Sequence, residues 1–138
     1  MTEDRPLAAV GEKRGETGYR ESAGADRDKG SAAPSEPIDV RSGDQLDALV
    51  DGNDVVLADF HAEWCGPCQA VEPVVEAIAA ETDAAVAKIE VDANQPLAAG
   101  YNVRAIPTLV LFADGAVEDR FVGDEPPEVL VSAVERHL

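Results

Sequence analysis

Cys65 and Cys68 stand two residues apart and are the only cysteines in the chain. A pair at this spacing closes into a small disulfide ring, and the same spacing supplies half of a zinc site. The run Trp64-Cys65-Gly66-Pro67-Cys68 follows an apolar stretch and precedes a helical pattern, which sets Cys65 at a helix N-terminus. Unpaired backbone N–H groups and the helix dipole favour an anion there. The thiolate is the attacking species, so Cys65 is the expected nucleophile. Cys68, a turn further in, is expected to be less exposed and more often protonated. Cys65 would then open a disulfide as a mixed disulfide, and Cys68 would resolve it, leaving a Cys65–Cys68 bond. The alternative is a zinc half-site or two idle core thiols. A zinc site takes about four ligands, and beyond the thiols only His61 and His137 could add imidazoles.

The elements that must hold this motif are legible on either side of it. Val55 to Phe60 is a near-continuous apolar run, as in a central strand covered on both faces. Cys65 to about Glu81 reads as a helix, with Val71, Val74, Val75 and Ile78 on one stripe and Pro73 inside it, where a bend is expected. Upstream, Ile38-Asp39-Val40 is a short strand, and Ser42 followed by Gln45 is a capping box opening a helix with Leu46, Leu49 and Val50 inward. Downstream, Ala85 to Val91 reads as a strand, and a short helix follows Pro96. Thr108–Ala113 and Ala116–Val122 flank Asp114-Gly115, a two-residue hairpin signal. Pro126-Pro127 opens a last helix with Leu130, Ala133 and Val134 inward. The order β-α-β-α-β-α-β-β-α implies an α/β fold: a central mixed sheet in which a parallel half gives way to a closing hairpin, with helices on both faces.

Residues 1–37 are rich in Gly, Ser, Ala, Pro and mixed charge. They are expected to form a disordered extension, since such a segment buries too little apolar surface to offset its ordering entropy. Residues 38–138 form the folded domain. The charge is uneven: the extension carries eight acids and six bases, the domain twenty acids and five bases, with Lys88 its single lysine. A formal net charge of -17 argues against nucleic acid and anionic membrane surfaces as partners, since both repel it. The bland reading is a solvated acidic face. The sharper one is adaptation to a salt-rich cytosol, because at ~1 M salt the screening length falls to about 3 Å and crowded carboxylates stop repelling one another. No apolar run approaches the length of a membrane span. The N-terminus lacks the basic and apolar pattern of a signal peptide, and two cysteines in one four-residue window do not make a stapled secreted scaffold. A reducing cytoplasm is the expected compartment.

The segment Asp59-Phe60-His61-Ala62-Glu63-Trp64-Cys65-Gly66-Pro67-Cys68 resembles the active-site segment of thioredoxins. The resemblance continues through Pro73, Val86 to Asp92, Ile106-Pro107-Thr108 and Asp114-Gly115 to Gly123, covering about residues 38–138. It implies a thioredoxin fold with a mixed five-stranded sheet flanked by four helices, and a monomer that reduces protein disulfides. No cofactor or metal is implied beyond the Cys65–Cys68 dithiol. The implied partners are disulfide-containing clients and a thioredoxin reductase as electron donor. It casts Asp59 as the buried carboxylate that assists proton transfer at Cys68, and an acid ending an apolar strand should indeed have a raised pKa. Lys88 matches a lysine near that carboxylate. Pro107 matches a cis-proline facing the disulfide, so that the Ile106 backbone pairs with an extended substrate segment. Trp64, Gly66, Pro67, Ile106, Pro107 and Gly123 would make an uncharged docking platform.

Three positions depart from the pattern. His61 stands where many relatives have tryptophan, Gln69 where lysine is common, and Ala105 where glycine is frequent. His61 would pack, or would lend the site a pH response near neutrality. Competing readings are a disulfide-forming or isomerising relative, a redox-dependent binding subunit without turnover, and a metal-binding module.

Overall fold

Val55–His61 forms strand β2, with six successive residues buried before the half-buried His61. Burial of both alternating faces means that helices cover the sheet on each side. In the computed structural model, which describes residues 33–138, the strands Ile38–Asp39 (β1), β2, Ala85–Glu90 (β3), Thr108–Ala113 (β4) and Ala116–Val122 (β5) form one five-stranded sheet. Its order is β1-β3-β2-β4-β5. The β1, β3 and β2 strands run parallel, while β4 is antiparallel to both β2 and β5. The expected switch from a parallel half to a closing hairpin is therefore present.

The helices are Gly43–Gly52 (α1), Gly66–Glu81 (α2), Gln95–Gly100 (α3) and Pro127–Glu135 (α4). Alternation along β2 divides the core in two. Val55 and Leu57 pack with Val71, Val75 and Ile78 of α2 and with Leu130, Ala133 and Val134 of α4. Val56, Ala58 and Phe60 pack with Leu46 and Val50 of α1 and Ala98 of α3. Asp59 belongs by parity to the α2/α4 face, and so does Lys88, its register partner on β3.

Local chemistry explains most boundaries. Ser42 caps α1 by accepting the Gln45 N–H at 3.1 Å. The return bond differs from a simple capping box: Gln45 Oε1 accepts the Arg41 N–H, and its Nε2 donates to the Asp39 carbonyl. Gln45 thus ties α1 to the end of β1, which stops at Asp39, one residue before the expected end. The β3 strand likewise ends at Glu90 rather than Val91, because the Glu90 side chain accepts the Ala93 N–H and opens a 3-10 turn over Val91–Ala93. The α2 helix runs through Pro73 without interruption. Asp114 and Gly115 have φ of 51° and 86°, as the twist-matched hairpin turn requires.

Of the expected extension, residues 1–32 lie outside the described residues. Ala33 packs against the α1/α3 core. Among the described residues no helix is long and apolar enough to cross a membrane.

Candidate active site

The C-terminal end of β2 delivers Ala62 and then Cys65, which is the N-cap of α2. Cys65 Sγ accepts the backbone N–H of Cys68 at 3.2 Å, one of the donors that a helix start leaves without a partner. Pro67 in the first turn removes another such donor and presets the helical φ. No acidic residue lies in that turn, so nothing there competes with a thiolate for the positive end of the helix. Cys65 and Cys68 form a disulfide with Cα atoms 5.3 Å apart.

The expected difference in exposure between the two sulfurs is almost absent: Cys65 is 5 % exposed and Cys68 3 %. Both are packed into a cluster with Ala62, against which Val91 and Ile106 lie. The asymmetry is one of position. Cys65 is the cap at the mouth of the helix, and Cys68 is inside it.

Asp59 is fully buried on the face that α2 covers. Burial raises its pKa from 3.8 to about 6, the nearby Lys88 charge opposing the rise and the Glu72 carboxylate adding to it. Lys88 Nζ lies 3.6 Å from Asp59 Oδ2 and is in direct ion-pair contact with Glu72. Neither oxygen of Asp59 has a hydrogen-bond partner among the described residues. His61 is half-buried, and burial followed by the Lys88 charge lowers its pKa below 6.5. Of its two expected roles, this favours packing, since a lowered pKa keeps the imidazole neutral at pH 7.

The residues expected to form a platform separate into exposed and supporting sets. Trp64 is 71 % exposed, and its indole N–H donates to Asp92 Oδ2 at 2.8 Å. Gly66 and Pro67 are exposed, and Ile106 is half-buried against the cysteine cluster. The Ile106–Pro107 peptide is cis. Pro107 is itself buried, and its carbonyl accepts the Gly123 N–H at 2.8 Å, which ties the end of β5 to this loop. Gly123 has φ of 88°, a conformation that suits glycine. Gln69 Nε2 donates to the Glu63 carbonyl. Among the described residues no three His, Cys, Asp or Glu side chains are grouped to hold a metal ion.

The sequence reading missed four contributors. Val91 packs on the cysteine cluster, and Asp92 holds the indole. Glu72 pairs with Lys88, and its position four residues after Cys68 was a usable signal, because i and i+4 share a helix face. Arg120 donates to the carbonyls of Tyr101 and Asn102, each at 2.7 Å, and bridges β5 to the loop leading to Ile106. Nothing in the sequence pattern marks that contact.

Comparison with known proteins agrees with this geometry. A family model described as Thioredoxin matches residues 38–136. A thioredoxin of Staphylococcus aureus is 45% identical over 86 residues, covering 61% of this chain and 83% of that protein. A mutant thioredoxin from Halobacterium salinarum NRC-1 is 54% identical, with a TM-score of 0.75 over 78% of this chain and 95% of its own. The thioredoxin of Fasciola hepatica is 36% identical, with a TM-score of 0.69 over 73% of this chain and 99% of its own.

Proposed function

This chain belongs to the thioredoxin family and is a thiol–disulfide oxidoreductase of the disulfide-reducing type, and we propose that Cys65 is its nucleophile, Cys68 its resolving thiol and Asp59 its internal proton carrier. The observation that carries the assignment is Cys65 Sγ at the N-cap of α2, accepting the Cys68 N–H. In the reduced protein the same donor and the helix dipole favour the Cys65 thiolate. The thiolate attacks one sulfur of a client disulfide; that bond breaks, and the client's other sulfur leaves as a thiolate. Cys68 then gives its proton to the Asp59 carboxylate and attacks Cys65 Sγ. The mixed disulfide breaks, the second client sulfur leaves, and the Cys65–Cys68 bond forms. The client gains two electrons and the dithiol loses two. A buried carboxyl with its pKa raised to about 6 is matched to holding and releasing that proton near neutral pH.

Family membership implies disulfide-containing targets and a reductase that returns the electrons. The finer readings are a thioredoxin reductase as donor, a monomer without nucleic-acid or membrane partners, and a reducing cytoplasm, where a dithiol is kept ready to give electrons. Trp64, Gly66, Pro67, Ile106 and Gly123 form the client-docking surface, and the buried Pro107 supports it from beneath through its bond to Gly123. The acidic surface is read as adaptation to molar salt, with which the likeness to the Halobacterium salinarum protein is consistent. The direct test is a pair of variants in native extract at high salt. Cys68→Ser is expected to accumulate covalent client complexes, and Cys65→Ser to form none and reduce no insulin disulfide. Reduction by Cys65→Ser, or equal trapping by both, would overturn the assignment.

A further inference from the structure

Lys88 is the single lysine of residues 38–138, and two carboxylates face it. Asp59 approaches from β2 at 3.6 Å without a hydrogen bond, while Glu72 approaches from α2 in direct contact. The three side chains form a line from the interior outward: Asp59 is buried, Lys88 is 12% exposed and Glu72 39% exposed. One ammonium is thus shared unequally, with the outer acid holding it. An anion at Asp59 keeps Lys88 as an ion-pair partner, but shares that one charge with Glu72, which holds it more closely.

We infer that Glu72 sets the proton affinity of Asp59: it competes with the buried carboxyl for Lys88, so that Asp59 receives only part of the stabilisation which that one ammonium can give. Glu72 acts through Lys88 and is a positioning residue. The inference builds on the proton-carrying role proposed above for Asp59. Two effects of Glu72 run in the same direction. Its contact with Lys88 draws the ammonium outward, and its own negative charge repels an anion at Asp59. Among the described residues, the other groups on this side do not supply an alternative cation. Cys68 lies on α2, and His61 further along β2 is held toward its neutral form. Leu109, opposite Asp59 on β4, and Leu130, Ala133 and Val134 of α4 carry no charge. The contact is only partly open to solvent, so salt screens it less than a surface pair.

The test reads Asp59 directly, by carboxyl-carbon NMR titration of the oxidised full-length protein, alongside the pH dependence of insulin reduction. Glu72→Gln is expected to lower the Asp59 midpoint by about one pH unit, a tenfold loss of proton affinity, and the rate profile should shift with it. Lys88→Met is expected to move the midpoint upward, which a mere packing role for these side chains would not produce. An Asp59 midpoint unchanged or raised in Glu72→Gln overturns the inference, whatever the rates do. A lowered midpoint with an unmoved rate profile upholds the coupling and overturns Asp59 as proton carrier.

Discussion

Asp59 Oδ2 and Lys88 Nζ lie 3.6 Å apart across the β2–β3 pair, close enough to attract and too far to share a hydrogen bond. Their backbones are register partners on adjacent strands, which sets the two side chains side by side on one face of the sheet. Among the described residues Lys88 is the cation beside this buried acid, and its attraction offsets only part of the burial that raises the Asp59 pKa to about 6.

The stability consequence has a definite sign. Folding raises the Asp59 pKa from 3.8 to about 6, so the native state binds this proton more tightly than the unfolded chain. Its contribution is fully present below pH 3.8 and is lost as pH rises through about 6. Asp59→Asn is therefore expected to gain about 3 kcal/mol at pH 8 relative to wild type, and little at pH 4. Lys88 keeps Glu72 as its partner in the variant, so no buried cation is orphaned. Disulfide reduction should slow by about a hundredfold, the low end of general-base catalysis. Denaturant titrations at both pH values and an insulin assay check the two halves.

Trp64 is 71 % exposed and bonded to Asp92 through its indole N–H. Trp64→Phe keeps an aromatic surface and removes that bond. Stability should change by no more than about 0.5 kcal/mol, as for most surface substitutions, while KM for a protein disulfide rises severalfold and kcat is little altered. Trp64 is also the sole tryptophan, and wild-type emission should change when the adjacent disulfide is reduced.

Arg120 donates to two carbonyls at the end of α3, those of Tyr101 and of Asn102, which has φ of 59°. A cation at a helix C-terminus complements the dipole, and here it satisfies carbonyls of the turn that follows the helix. Arg120→Met is expected to cost about 1 kcal/mol by thermal unfolding. It should also raise KM, because the loosened segment leads directly into Ile106 and Pro107.

Salt should stabilise the whole domain. Residues 38–138 carry twenty acids against five bases, and screening at ~1 M ions reaches within about 3 Å of each charge. The thermal midpoint is expected to climb steadily from dilute buffer to molar potassium chloride. A flat profile would show that the acidic surface carries no folding penalty.

The architecture was legible because periodicity and punctuation agree along the chain. The doubly buried run at Val55–Phe60, the hairpin at Asp114-Gly115 and the stripe of Val71, Val75 and Ile78 each state one element with little ambiguity. The redox motif was legible for the same reason, since four adjacent residues carry it. Burial of Asp59 and the cis peptide before Pro107 also stood as expected. What stayed hidden depends on separations the chain does not encode locally. Trp64 and Asp92 are 28 residues apart, and Arg120 reaches 18 residues back to Asn102. The similar burial of Cys65 and Cys68 was also out of reach, because Val91 and Ile106 arrive from distant segments to cover both.

Lysine at position 88 alone, 12% exposed and gripped by two acids, leaves the domain's surface cations to the guanidinium groups of Arg41, Arg104, Arg120 and Arg136. Reagents and enzymes that acylate primary amines would therefore find almost no purchase between residues 38 and 138. The other lysines of the sequence, Lys13 and Lys29, both precede residue 38, so a lysine-directed dye or resin is expected to couple ahead of the domain in sequence. Coupling through those lysines would leave every proposed site residue unmodified.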